Sequence, residues 1–397
     1  MTATITADPG RVGEMSIPFA RTVIAPEARA AVDRVLTSGW VTTGPEVAAF
    51  EREFATEVGA RFAVAVSSCT DAIQLSLAAL HLEPGSLVLV PTMTFCGVVN
   101  AILHAGLRPA LVDVDPVTQL ATPATVREAC ARVGGADAMV VLHFAGQPAD
   151  VNSLAHAAGL PSSRVVEDAA HGPGVWVGDR PVGAISAATC FSFYATKNLP
   201  IGEGGMVTTD DPEIAGSVLV GRLHGMSRDA WRRYLPGAPW RYAVEVDGLK
   251  ANMTDIQAAI GREQLRHLPE WQVRRAELAA RYDRHLGDVP GLRVPPRPDE
   301  GRHSWHLYIV RVGESFGLRR DAVIERLSQA GIGTSVHFIP VHEHAFYRRV
   351  TVGRSGGFPG ADEAFSRILS LPLYPSLEDD DIDRVCSSIA EIQGGGH

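Results

Sequence analysis

The sequence predicts an α/β fold: a mostly parallel sheet flanked by helices, followed by a smaller C-terminal α+β unit. Three observations predict it. From Phe62 to Asp211 short apolar runs alternate with helical patterns, the rhythm of βαβ crossovers. Hydroxyl, aromatic, carboxylate and amine side chains fall just past those runs, on the rim where parallel sheets collect ligands. After Pro290 the texture changes, and Pro295, Pro296 and Pro298 form a linker-like stretch before a set of shorter elements.

Taken in order, residues 1–15 are small and polar and read as an arm, extending to about residue 24. Apolar positions Ala28, Val32, Val35 and Leu36 have helical spacing over 25–38. A loop of Thr and Gly, including Thr43, leads to a helix over 45–58 that starts on proline with glutamate in its first turn. That loop is a connecting turn or a pocket wall. A strand over 62–66 breaks at Ser67-Ser68-Cys69-Thr70 and becomes a helix over 72–80. Strands over 87–90, 108–112, 138–142 and 164–166 alternate with helices over 98–105, 123–133 and 150–159. The run containing Phe191 and Phe193 ends in Ala195-Thr196-Lys197-Asn198, and a glycine loop (Gly202, Gly204, Gly205) leads into a strand ending at 208–210. Residues 221–250 are irregular and rich in Arg, Trp and Gly, a long loop of the kind that often carries function. The longest helical pattern follows Asn252 and runs to about Leu286, with Thr254 and Gln257 at capping-box spacing. Strands over 305–312 and 334–338 and helices over 320–330, 360–368 and 378–392 complete the smaller unit. The expected division is 1–262 and 263–397.

Composition bounds the function. The chain has 397 residues, 46% hydrophobic and 20% charged, an ordinary globular mixture. Its net charge of -9 comes with no basic stripe, which argues against nucleic acid as a partner. Five scattered cysteines without CxxC spacing read as reduced thiols. The opening MTATITADPG lacks the apolar core of a secretory signal, and no apolar run approaches the length needed to span a bilayer. The expectation is a cytoplasmic protein without a membrane partner.

The rim residues form a constellation suited to a cofactor with a phosphate, a pyridine ring and an aldehyde. A lone lysine past a strand is ordinarily a surface residue, but lysine is also the side chain for imine chemistry once its amine is desolvated. Ser68, Cys69 and Thr70 open a helix, where N–H groups and the dipole suit a phosphate, although a simple N-cap has the same sequence. Asp168 can pair with a ring nitrogen or cap a helix. Phe95 can stack on a ring or fill core. Their succession on neighbouring strand ends, with Lys197, favours the joint reading.

The chain resembles the DegT/DnrJ/EryC1/StrS family of pyridoxal-phosphate sugar aminotransferases, of the aspartate-aminotransferase fold (fold type I). The resemblance rests on GWVTTGPEVAAFEREFA at 39–55, SSCTDAIQLSLAAL at 67–80, PTMTFCGVVNAILHAGLRPALVDVD at 91–115 and VEDAAHGPG at 166–174. It continues through FSFYATKNLPIGEGGMVTTDD at 191–211, NMTDIQAAIGREQL at 252–265, WHLYIVRV at 305–312, GIGTSVHFIPVHEHAFYR at 331–348 and LSLPLYPSLEDDDIDRV at 369–385. It implies that Lys197 forms the imine with the cofactor and shuttles a proton, and that Asp168 pairs with the pyridine nitrogen. It further implies that Phe95 stacks on the ring, that His171 stands near the phenolic oxygen where many relatives have glutamine, and that Thr70, Ser192 and the Cys69 backbone hold the phosphate. Cysteine at 69 departs from the usual glycine. Asn252 is expected to reach the phosphate bound by a partner subunit, which makes the enzyme a homodimer with shared sites. Relatives that dehydrate sugars carry histidine in place of the lysine, so Lys197 implies transamination, with pyridoxamine phosphate between the two half-reactions. L-glutamate is the expected donor and C4 of a nucleotide 4-keto-6-deoxyhexose or 4-keto-pentose the expected acceptor. A C3-keto sugar and a keto-cyclitol are the alternatives. Thr43, Arg228, His337 and His342 are the expected substrate contacts. A metal site of His337, His342 and His344 is set aside, because the motif explains these residues without one. A regulatory or structural relative would be expected to have lost Lys197, Asp168 or the helix-start hydroxyls, and none is lost. The alanine- and arginine-rich composition points to a high-GC bacterium and antibiotic glycosylation.

Overall fold

The computed structural model describes residues 16–227, 241–298 and 300–395. Two helices, α1 (Glu27–Ser38) and α2 (Pro45–Val58), precede strand β1 (Phe62–Val66). Pro45 starts α2, where its missing N–H costs no helical bond, and Gly59 ends it at φ 68° in the left-handed region that favours glycine. The chain then alternates through α3 (Cys69–Ala79), β2 (Leu87–Pro91), α4 (Cys96–His104), β3 (Arg108–Val112), α5 (Pro123–Val133), β4 (Ala138–Leu142), α6 (Val151–Ala158) and β5 (Val165–Ala169). A small ribbon of β6 (Trp176–Val177) and β7 (Arg180–Pro181) precedes β8 (Ala188–Ser192), β9 (Gly205–Thr209) and α7 (Pro212–Gly221).

The main sheet has seven strands in the order β1-β9-β8-β5-β4-β2-β3. The pairs β8–β5, β5–β4, β4–β2 and β2–β3 are parallel. β9 alone runs the other way, antiparallel to both β8 and β1. It follows β8 through the loop at 193–204 with no crossover helix, and a connection without a crossover returns antiparallel. Every residue of β4, β5, β8 and β9 is buried, as helices on both faces require. The carboxyl ends of β1, β2, β4, β5 and β8 therefore meet on one rim.

The chain continues through α8 (Asp255–Leu286), β10 (Leu292–Arg293), β11 (Tyr308–Val312), α9 (Arg320–Gln329), α10 (Tyr347–Val350), α11 (Pro359–Arg367), β12 (Ile368–Leu371) and α12 (Asp379–Gly394). Thr254 and Gln257 form the predicted capping box at the start of α8. Leu265 and Leu268 of α8 pack with Phe50, Phe54 and Phe191. Leu278, Tyr282 and Leu286 of the same helix belong to a second cluster with Tyr308, Leu327 and Ile389. The expected division at 262/263 falls inside this continuous helix. Among the described residues no helix is long and apolar enough to cross a membrane.

Three sequence expectations change. The strand read over 164–166 continues to Ala169, so Asp168 lies within β5, paired in register with Leu142 and Cys190. The strand read over 334–338 is reduced to a single bridge, Ser335 to Ser370; the ladder place on β11 is taken by β12, whose first residue, Ile368, was read as the end of the helix over 360–368. Part of the expected arm is anchored: Ile17 bridges Ile332 and is buried in the second cluster, while residues 1–15 lie outside the described residues.

Candidate active site

Lys197 stands in the loop that leaves β8, five residues beyond the buried hydroxyl of Ser192. Burial pushes its amine down to about 8, against the opposing pull of Asp168 and then of Cys69. An amine so placed is a nucleophile near neutral pH. Asp168 on the neighbouring strand β5 is 3% exposed. Its burial raises the carboxyl pKa, while the Ala170 N–H, Lys197 and then His143 pull it down. The Ala170 N–H donates to its Oδ1 at 3.0 Å, and the Cys69 thiol lies 3.9 Å from the same atom. Burial holds that thiol protonated, its Sγ also 3.4 Å from the Cys190 carbonyl.

The head of α3 lies beside this pair. Ser68 is its N-cap: the hydroxyl accepts from the Asp71 N–H at 3.1 Å and donates to Asp71 Oδ2 at 2.7 Å. Ser67 donates to the same oxygen. The Ser68 hydroxyl is therefore engaged by the first turn of the helix. Among the described residues the N–H groups of Cys69 and Thr70 find no acceptor. They point out of a helix start, the arrangement that receives anions. Gly205 sits between Val66 and Ser192 in the sheet. A Cβ there would lie 2.5 Å from the Ser68 carbonyl and 2.7 Å from the Cys69 nitrogen, so only glycine lets β9 approach the cradle. At Gly97 a Cβ would meet Thr70 Oγ1 at 2.8 Å and the Phe95 ring at 3.2 Å, which places those two side chains together. Phe95 caps α4 and is 58% exposed, an uncovered aromatic face on the rim.

An aromatic wall faces it. Phe338 lies with its ring 6.1 Å from those of Phe95, Phe144 and His171. The Ala145 N–H donates to Nδ1 of His171 at 3.1 Å, which places the ring proton on Nε2. His171 stacks on His306 at 4.3 Å. Burial, and next the Lys197 cation, hold His171 well below the usual histidine range. His337 donates to or accepts from Ser370 Oγ at 2.8 Å and stacks on Phe19. Its pKa falls to about 4 through burial and the Lys197 charge.

Thr43 and Asn252 meet next to the end of β1. Asn252 bridges Val66 and donates from Nδ2 to Thr43 Oγ1 at 2.7 Å; Thr43 donates to the Met253 carbonyl at 2.6 Å. Lys250 donates to Oδ1 of Asn252. Asp255, which sequence reading passed over, joins the same corner by accepting from the N–H groups of Glu46 and Val47 at the start of α2. His342 is 7% exposed, with Nδ1 against Thr92 Oγ1 at 2.7 Å and Nε2 against Asp362 at 2.8 Å. Both nitrogens are engaged, tying the 341–343 turn to Thr92 just past β2 and to α11. Glu343 lies 3.5 Å from the same Nε2, and this trio is the convergence of metal-type donors among the described residues. Arg228 lies outside the described residues.

Sequence reading missed two buried partners of the site. His143 donates from Nε2 to Glu167 at 2.8 Å with both side chains fully buried, directly behind Asp168. His306 bonds Asn198, the residue after Lys197. Buried histidine and glutamate next to a strand-end aspartate were the available signals.

The family model described as the DegT/DnrJ/EryC1/StrS aminotransferase family matches residues 22–390. The chain is 44% identical over 381 residues to the spore coat polysaccharide biosynthesis protein SpsC of Bacillus subtilis, covering 96% of this chain and 97% of that protein. Its fold is similar to the aminotransferase TlmJ from Streptoalloteichus hindustanus, with TM-score 0.85, 34% identity and coverage of 96% and 99% of the two chains. The PLP form of the putative sugar aminotransferase Spr1654 from Streptococcus pneumoniae gives TM-score 0.86 at 27% identity, covering 96% and 99%. A rim amine, a buried carboxylate and an open helix start on an α/β sheet thus stand where a family match spans nearly the whole length, and the chain belongs to the DegT/DnrJ/EryC1/StrS aminotransferase family, whose members are pyridoxal-phosphate-dependent sugar aminotransferases.

Proposed function

We propose that this enzyme moves an amino group from L-glutamate to the keto carbon of a nucleotide sugar, at C4 of a 4-keto-6-deoxyhexose or 4-keto-pentose. The observation that carries the reading is the desolvated amine of Lys197, depressed to about 8, on the rim beside buried Asp168. The donor set fits pyridoxal phosphate. The unpaired N–H groups at the head of α3, the hydroxyls of Thr70 and Ser192 and the close approach at Gly205 suit its phosphate. Asp168 suits a protonated ring nitrogen, and Phe95 presents a face for stacking. When bound, the cofactor supplies an electrophilic carbon and an electron-withdrawing ring.

The chain's own residues do the rest. Lys197 Nζ would hold the cofactor and, once freed by the amino donor, would carry a proton between the substrate carbon and the cofactor in each half-reaction. Burial raises the Asp168 carboxyl pKa while the Ala170 N–H and Lys197 pull against it, and as a carboxylate it would keep a ring nitrogen protonated. His171 offers Nε2–H as a neutral donor to the phenolic oxygen. Phe338 and Phe95 exclude water. Thr43 and His337 contact substrate, and Arg228 belongs to the loop expected to cover the sugar. Asn252, pinned by Lys250 and Thr43, serves the phosphate site of a second copy in a cytoplasmic homodimer. The two apolar clusters along α8 support a cofactor-binding unit at 1–262 and a smaller unit at 263–397. A role in glycan or antibiotic sugar assembly follows, and the name of the similar SpsC supports the carbohydrate side of it.

A panel of nucleotide keto sugars, with glutamate as donor, tests the substrate. Turnover of a 4-keto nucleotide sugar is expected. Turnover of a keto-cyclitol or a 3-keto sugar instead would overturn the reading.

A further inference from the structure

His306 enters the site from the segment that precedes β11. That segment is laced to three loops of the sheet rim. The Ser304 N–H donates to the Gly146 carbonyl at 2.9 Å, and its hydroxyl to the His171 carbonyl at 2.7 Å. The Leu307 N–H donates to the Ala145 carbonyl at 3.2 Å. Asn198 closes the set, donating from Nδ2 to the Ser304 carbonyl at 2.8 Å. Its Oδ1 is thereby turned toward Nδ1 of His306, at 3.1 Å. An amide oxygen only accepts, so Nδ1 of His306 carries the proton and Nε2 the lone pair. Across the 4.3 Å stack, His171 has the opposite tautomer, because a backbone N–H donates to its Nδ1.

We propose that His306 is a positioning residue for the amine of Lys197: its Nδ1–H holds Asn198, the next residue in the chain, while its ring stacks on His171, whose Nε2–H tautomer is set by the Ala145 N–H. A loop that carries a reactive amine gains from such a tether, since a displacement of about 1 Å can cost roughly a hundredfold in rate. Both rings are buried (7% exposed for His306, 3% for His171), and burial above all holds both well below the usual histidine range. The bond also joins the smaller C-terminal part of the chain to the lysine loop, so the alignment of the amine depends on how that part docks. This inference rests on Lys197 being the cofactor-binding amine.

The test uses the cofactor-loaded enzyme with His306→Phe, His306→Gln, Asn198→Ala and the His306→Phe/Asn198→Ala double variant. Phe keeps the stack and removes the donor; Gln keeps an N–H. Two readouts are taken: kcat with KM for each substrate, and the near-visible circular dichroism per bound cofactor, which reports how rigidly the cofactor is held. His306→Phe and Asn198→Ala are each expected to lower kcat about tenfold, as for one lost hydrogen bond at a reacting group, with KM changed about twofold at most. Each should weaken the dichroism. The double variant should be no worse than Asn198→Ala alone, since that substitution already removes the bond to His306 along with the one to Ser304, and Gln should recover most of the loss. Wild-type kcat and dichroism in His306→Phe, or losses that multiply in the double variant, would overturn the proposal. Should the Phe variant not fold, the Gln and Asn198→Ala variants decide by the same readouts. The dichroism needs no sugar, so a wrong acceptor sugar leaves this test intact, whereas an unaltered spectrum in Lys197→Ala would remove the assignment beneath it.

Discussion

Residue by residue, the site is a set of groups whose protonation is set by burial. In its proposed role the Lys197 amine must be neutral to take up the cofactor, and desolvation lowers its pKa to about 8. Below that value the amine is increasingly protonated and unreactive; above it the neutral fraction levels off. The rate at which apoenzyme is reloaded with pyridoxal phosphate should therefore rise with pH through a midpoint near 8, well below the ~10.4 of a free lysine, measured by stopped-flow absorbance. Ser68 gives a second prediction. As an N-cap whose hydroxyl is engaged by Asp71, its replacement in Ser68→Ala should cost about 1 kcal/mol of stability, read by urea unfolding. Replacement of Thr70 by Ala should instead weaken cofactor binding with little change in stability. These residue types at strand ends made the rim legible in sequence. The N-cap role of Ser68 was not, because an N-cap and a phosphate donor carry the same side chain. Nor was the engagement of His342 by Thr92 and Asp362, partners that lie 250 and 20 residues away in the chain.

Elements explain why those residues converge. The strand and helix rhythm from 62 to 211 was readable because most of its strands are short apolar runs set between helical patterns. Strands over 62–66, 108–112 and 138–142 and helices over 45–58 and 123–133 were read at the bounds observed. Failures came where tertiary contacts overrode local pattern. The alternation at 334–338 looks like a strand, yet Phe338 turns to the aromatic wall of the site and Ser335 keeps one bridge only. Ile368 looks like a helix end, yet it opens the strand that completes the sheet beside β11. Gly205 is the element-scale test of the cradle. A methyl group there meets the Ser68 carbonyl at 2.5 Å, so Gly205→Ala should push β9 away from the head of α3. Equilibrium dialysis should then show cofactor affinity falling at least about tenfold, with the seven-stranded sheet retained by circular dichroism.

For the whole molecule, α8 ties two apolar clusters together, and Asn252 stands at its head beside Thr43 and Lys250. The proposed sharing of sites in a dimer makes a distinct prediction. Lys197→Ala and Asn252→Ala homodimers should each be impaired. Mixed subunits should regain activity, because a hybrid contains one site with both native residues. No recovery on mixing, with hybrids verified by native mass spectrometry, would place Asn252 in the site of its own chain.

The central claim is that Lys197 is the amine that holds the cofactor and exchanges it for an amino donor. Its most direct measurement is the near-visible absorption of purified enzyme before and after L-glutamate, beside the Lys197→Ala variant. The wild type should show a band above the protein absorption that moves to shorter wavelength when glutamate is added, and the variant should show neither the band nor the move. A band and a glutamate response that survive in Lys197→Ala would contradict the account.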